Sequence, residues 1–137
     1  MTIIFVDPDK TLQEKFEETF RQTNKVVCFD DMYDAYLWTK KYTKAPDVIL
    51  VEVELNSPAG LQTLKFLESK SKLAFTNLVA FTTEKFTEAQ KRFAISEGAD
   101  AIFEKDKLFS ELSSYLKFLN ADRAATAKSS KKYSGKK

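Results

Sequence analysis

The sequence predicts an α/β fold in which five strands alternate with five helices, the arrangement of a doubly wound parallel sheet. Short apolar runs without polar alternation recur at Ile3-Ile4-Phe5-Val6, Val26-Val27-Cys28-Phe29, Val48-Ile49-Leu50-Val51, Leu78-Val79-Ala80-Phe81 and Ala101-Ile102-Phe103. Unbroken runs of this kind mark strands covered on both faces. The segments between them carry apolar residues at helical spacing: Leu12, Phe16 and Phe20 in the first, Leu61, Leu64 and Leu67 in the third, Leu108, Leu112, Leu116 and Leu119 in the fifth. Such crossovers are right-handed, and ligands of doubly wound sheets bind outside the carboxyl ends of the strands.

The elements follow in order. The first strand ends at Asp7, and either Asp7 or Asp9 has the side chain to cap the first helix. Cys28, inside the second strand, reads as a small buried hydrophobe. The second helix is crowded with Tyr33, Tyr36, Trp38 and Tyr42, and aromatic residues at helical spacing belong mostly to a core. Ser57-Pro58 opens the third helix, and the fourth, around Thr87 to Glu97, is the least apolar and stops at Gly98. The fifth helix has an apolar stripe to Leu119, which Ala121, Ala124, Ala125 and Ala127 can carry on for a turn or two. From Lys128 to Lys137 the chain is polar and lysine-rich, and is expected to be disordered. One domain is therefore expected over residues 1–120, with a basic tail over 121–137 and no internal repeat.

Composition narrows the chemistry. A chain of 137 residues that is 43% hydrophobic and 13% aromatic has enough apolar surface for one core. Without histidine and with one cysteine it lacks the parts for zinc fingers, haem attachment and Ser-His-Asp or Cys-His triads, and any metal would need oxygen ligands. Three glycines, Gly60, Gly98 and Gly135, exclude a glycine-rich phosphate loop. The first residues lead into Asp7 without a basic region or cleavage site, and charges interrupt every apolar run short of the roughly 20 residues a membrane span needs, so a cytoplasmic location is expected. The net charge of +2 conceals an asymmetry, because from Ala121 onward six bases stand against one acid. That tail has Tyr133 alone among aromatics, which favours a solubilising role over nucleic-acid or membrane contact.

The residues that end the strands are Asp7, Glu52, Thr82 and Lys105, and the fold brings them to one edge of the sheet. Two carboxylates, a hydroxyl and an ammonium form a polar set of the kind that binds a metal or a phosphoryl group. At this point Ile4-Phe5-Val6-Asp7-Pro8-Asp9, Pro46-Asp47-Val48-Ile49-Leu50-Val51-Glu52-Val53-Glu54-Leu55, Gly60, Leu78-Val79-Ala80-Phe81-Thr82-Thr83 and Glu97-Gly98-Ala99-Asp100-Ala101-Ile102-Phe103-Glu104-Lys105 together resemble bacterial response-regulator receiver domains of the chemotaxis-regulator type, over about residues 2–120. The resemblance implies a flavodoxin-like (βα)5 receiver fold with strand order 2-1-3-4-5. It also implies an acidic pair and an aspartate that hold magnesium and accept a phosphoryl group from a histidine kinase.

The departures fall on that machinery. Asp7 matches the first acidic position, but Pro8 takes the second, Asp9 falls one residue late, and Glu52 stands at the phosphoacceptor position. The extra methylene moves the Glu52 carboxylate about 1.5 Å further into the pocket, where an error of about 1 Å costs on the order of 100-fold in rate. Magnesium needs near-ideal octahedral oxygen geometry, so its binding is expected to be weak or absent and no other cofactor is implied. Glu52 is expected instead to reach toward Lys105 and Thr82. Ile102 occupies the family's aromatic switch position, and Asp106 replaces the proline that usually follows the lysine.

The resemblance further implies a partner face on the fourth helix, fifth strand and fifth helix, where Phe86, Phe93, Ile102, Phe103, Tyr115 and Phe118 lie. Phe86 and Phe118, off the main stripes, are the expected exposed contacts, and homodimerisation through this face is an option. The leading expectation is an atypical, stand-alone, non-enzymatic receiver that binds protein partners in bacterial signalling independently of phosphorylation. The alternatives are a phosphotransfer receiver that uses another acceptor such as Asp9, and a permanently active form in which Glu52 imitates the phosphorylated state.

Overall fold

The computed structural model describes residues 1–42, 44–56 and 58–133, with side chains described except at 58–60 and 123–133. In chain order the elements are β1 (Thr2–Val6), α1 (Lys10–Phe20), β2 (Lys25–Phe29), α2 (Met32–Lys41), β3 (Val48–Glu52), α3 (Pro58–Glu68), β4 (Asn77–Thr82), α4 (Glu88–Ser96), β5 (Ala101–Glu104) and α5 (Leu108–Tyr133). The five strands form one parallel sheet in the order β2-β1-β3-β4-β5. This is the flavodoxin-like receiver fold. The chain divides into two compact units, Met1–Asp106 with the sheet and α1 to α4, and Lys107–Lys137 with α5.

Alternation along β1 distributes its side chains to two layers. Ile4 and Val6 join Ile49 and Val51 of β3, Ala35 of α2, Leu61, Leu64 and Leu67 of α3 and Ala94 of α4 in one buried cluster. Phe5 points to the opposite layer, where its ring stacks on Phe16 of α1 at 4.2 Å and on Phe81 of β4 at 5.4 Å. Each such fully buried aromatic or aliphatic side chain contributes roughly 1.5–3 kcal/mol.

Equal-looking apolar runs have unequal fates. The runs in β1, β3 and β4 are almost wholly buried, whereas β2 is at best half-buried along its length and β5 buries Ile102 alone. Their places at the two edges of the sheet are the reason, and Cys28 is accordingly half-buried rather than fully enclosed. Burial together with the negative Glu17 nearby still pushes its thiol up to about 11, against a smaller downward pull from Lys10.

Local chemistry sets the helix ends. Asp9, not Asp7, caps α1, its carboxylate accepting from Leu12 N–H at 3.2 Å. Asp31 does the same for α2, and Thr87 with Gln90 forms a capping box at α4. Gly98, after α4, has φ +121°, a backbone conformation that side chains rarely adopt, and a Cβ there would lie 3.2 Å from the Leu64 carbonyl oxygen. The opening of α3 at Pro58 matches the expected position, while Ser57 lies outside the described residues. In α5 the leucines Leu108, Leu112, Leu116 and Leu119 are buried. Its backbone stays helical to Tyr133, past Lys128 where the sequence suggests that order ends. Lys128, Lys131 and Lys132 are good helix formers, which the polarity of the segment conceals. Residues 134–137 lie outside the described residues.

Candidate functional site

Three strand ends and the start of a short 3-10 turn, Lys105–Lys107, build the site at the carboxyl edge of the sheet. Asp7 follows the last residue of β1, Glu52 ends β3, Thr82 ends β4, and Lys105 follows β5. Parallel pairing puts Val6 beside Val51, Glu52 beside Phe81, and Thr82 beside Glu104, which levels these ends with one another.

Lys105 is the centre. Its ammonium stands 2.6 Å from Glu52 Oε2 and 2.8 Å from Asp7 Oδ2, so a single cation bridges both carboxylates. The ion pair expected between Glu52 and Lys105 is thus present, with Asp7 as a second anion on the same nitrogen. Asp7 is 1% exposed, Lys105 24% and Glu52 35%, so the cluster grades from the protein interior to solvent. Buried Asp7 Oδ2 takes its counter-charge from the Lys105 ammonium. Partial burial by itself would lower the Lys105 pKa, but hydrogen bonds and charge from Asp7 and Glu52 outweigh it and hold the ammonium above its ordinary value.

The other sequence candidates divide. Thr82 is fully buried, and its hydroxyl accepts from Glu84 N–H at 3.2 Å, so Glu52 reaches Lys105 but not Thr82. Pro8 is exposed and supplies no side-chain oxygen, and the Asp9 carboxylate is occupied with capping α1. The backbone N–H of Asp9 donates to Asp7 Oδ1 at 2.9 Å, which closes the turn around Pro8. Ile102 is 5% exposed and part of the buried cluster. No cis peptide occurs among the described residues, the Lys105–Asp106 bond included. Nor do three His, Cys, Asp or Glu side chains among them converge so as to hold a metal ion, and none of the helices is long and apolar enough to cross a membrane.

The expected partner face also divides. Phe93 is 54% exposed on α4 and lines a groove of about 400 Å3 with Leu55 and Leu61. Phe86 is not the exposed contact expected of it: it is half-buried and packs against the core cluster, because the loop before α4 turns it inward. Phe103 is half-buried. On α5, Phe118 is 63% exposed and Tyr115 half-buried, their rings 6.5 Å apart.

Two polar devices at this edge escape a reading by motif. Gln13, buried on the inner side of α1, donates through Nε2 to the Asp7 carbonyl at 2.6 Å and to Asp30 Oδ1 at 2.9 Å. It fixes the turn that presents Asp7. An amide between Leu12 and Phe16 on an otherwise apolar stripe was its signal in the sequence. Asn56, between β3 and α3, donates to Glu84 and accepts from Gln90 Nε2 at 3.3 Å, which ties three segments together without any local pattern to announce it.

No family model matches the sequence, and no curated protein does. Solved structures match in fold. The chain is similar to the Vibrio cholerae chemotaxis protein CheY4 at 22% identity and a TM-score of 0.70, over 85% of this chain and 95% of that one. It is similar to the Francisella response regulator 1452 receiver domain at 20% identity and 0.72, over 89% and 98%. The signal receiver domain of the DNA-binding response regulator merR from Colwellia psychrerythraea 34H aligns at 20% and 0.71, over 88% and 98%. At these identities the likeness establishes the receiver fold.

Proposed function

We propose that this chain is a signal-transduction module of the receiver type that works through protein contacts, without phosphorylation at the Glu52 position and without a resident magnesium ion. The observation that carries the reading is the Lys105 ammonium lodged between Glu52 and Asp7. A divalent cation would have to compete with that ammonium for the Glu52 and Asp7 carboxylates. Pro8 supplies no side-chain oxygen and the Asp9 carboxylate caps a helix, so among the described residues no further acidic ligand stands beside that occupied pair. The Asp9 engagement also disfavours it as a phosphate acceptor.

The test is a heteronuclear NMR titration with magnesium, beryllofluoride and acetyl phosphate. No defined shift at Asp7, Glu52, Thr82 or Lys105 is expected, and a saturable magnesium-dependent change there would sink the reading. The double variant Pro8→Asp, Glu52→Asp is expected to gain such a response, because it restores a second acidic side chain and withdraws the carboxylate from Lys105.

The 2.6 Å contact also favours a compatible second reading, in which the Glu52 charge holds one state of the module permanently. Glu52→Gln keeps the shape and removes the charge. Unchanged partner affinity in Glu52→Gln and Glu52→Asp would exclude a role for that charge.

A further inference from the structure

Away from the strand-end site, α2 and the segment just after α3 form a corner where two lysines stand over aromatic rings. The Lys40 ammonium lies 5.7 Å from the centre of the Tyr36 ring, and the Lys70 ammonium lies 5.4 Å from that ring and 4.4 Å from the ring of Phe66. Tyr36 and Phe66 meet edge to face at 5.2 Å, so one ring pair gathers two like charges. Neither lysine has a carboxylate within ion-pair distance among the described residues. Lys72 beside them is differently employed, its ammonium donating to the carbonyls of Thr39 and Tyr42 at the end of α2.

A groove of about 310 Å3 adjoins this pair, lined by Met32, Tyr33, Gln62, Thr63 and Phe66, with Tyr33 69% and Phe66 42% exposed. Phe66 is shared: it forms part of the groove wall and carries Lys70 over its ring. An apolar slot with the Lys70 ammonium over its Phe66 wall and the Lys40 ammonium over the adjoining Tyr36 ring fits a ligand that alternates apolar side chains with negative charge.

We infer that the α2–α3 corner is the docking surface for an acidic, amphipathic segment of a partner protein, with an aliphatic or aromatic side chain in the Met32–Tyr33–Phe66 groove and carboxylates on Lys40 and Lys70. The inference rests on the interaction-module reading only for the partner being a protein. Charge complementarity selects the acidic character, since like charges held together over rings are relieved by an anion. Lysines already stand over Tyr36 and Phe66, which leaves Tyr33 alone of the groove's two rings open to a base, short of the successive stacking platforms that a single-stranded nucleic acid uses.

Fluorescence anisotropy of a labelled peptide of glutamates and leucines at helical spacing, titrated with the full chain, tests the inference. Polyglutamate and oligothymidylate serve as comparison probes. Saturable binding of the amphipathic peptide, stronger than that of either comparison probe, is expected, and so are NMR shifts confined to residues 32–40 and 62–70. Lys40→Glu with Lys70→Glu is expected to weaken it by roughly tenfold or more. Lys40→Gln with Lys70→Gln guards against misfolding and gives a smaller loss in the same direction, while Lys85→Glu leaves binding unchanged. The inference is overturned by absence of saturable binding, by equal binding of polyglutamate or oligothymidylate, or by full binding in both double variants. These outcomes do not depend on magnesium or acetyl phosphate. A magnesium-dependent response at Glu52 would remove the phosphorylation-independent reading and leave this result standing.

Discussion

Lysines at two places in the same sheet-bearing unit have opposite fates. Lys105 lies within 2.8 Å of two carboxylates and serves the protein's own interior, because Asp7 is buried and needs a counter-charge. Lys40 and Lys70 rest over aromatic rings, with no carboxylate of the described residues within ion-pair distance. A cation held by fixed internal anions is removed from recognition, whereas one held only by ring quadrupoles keeps its charge available to a partner. The contrast shows why a count of charged residues, which for this chain nets +2, says little about where binding occurs.

Deleting the two kinds of cation is the most direct way to break the contrast. Lys105→Ala leaves Asp7 buried without a counter-ion and is expected to cost about 2 kcal/mol, below the roughly 3–5 kcal/mol of a fully enclosed pair because Lys105 keeps some exposure. Urea denaturation at neutral pH measures it, and a loss of a few tenths or less would refute the central place given to Lys105. Glu52→Gln removes the more exposed anion and is expected to cost about 1 kcal/mol or less, since Asp7 still neutralises the ammonium.

The pH dependence sharpens the same point. The folded Lys105 pKa is raised, so the stability it contributes is complete below the ordinary lysine value of about 10.4 and is lost as pH rises through the folded value. Cys28, held up to about 11, weakens the fold in the same direction as pH rises from the ordinary thiol value of 9.0 toward 11, because the unfolded chain's thiol ionises first. Measured in a Cys28→Ala background, the urea midpoint is expected to fall above that pH in the parent and to lose this component in Lys105→Met. The smallest effect belongs to the other corner. Lys70→Met is expected to change stability by about 0.5 kcal/mol or less, the scale of an exposed cation–π contact, and the thermal midpoint checks it.

Much of the fold was written in the periodicity of the chain. Five unbroken apolar runs separated by helical stripes specify a parallel α/β sheet, because strands covered on both faces need no polar alternation. Caps act within three or four positions, so Asp9 was legible as one of two candidates for α1, and the structure chose it over Asp7. The strand order entered through resemblance, and the topology then set what periodicity leaves open: which runs lie at the edge. Val26-Val27-Cys28-Phe29 reads like a central strand and is half-buried on an edge, because exposure depends on neighbours that no local window contains.

The site divides along the same line. Asp7, Glu52, Thr82 and Lys105 were recognisable by their positions at strand ends, as was the reach of Glu52 toward Lys105. That one ammonium takes both Asp7 and Glu52 while Thr82 turns to Glu84, that Gln13 braces the turn before α1, and that Lys40 and Lys70 meet over one ring were decided by tertiary structure. Residue type and spacing act along the chain and set which element forms and which end carries polar groups. The contacts of Lys105 with Asp7 and Glu52, and of Lys70 with Tyr36, join residues distant in the chain and arise only once the strands have paired and α2 and α3 have come together.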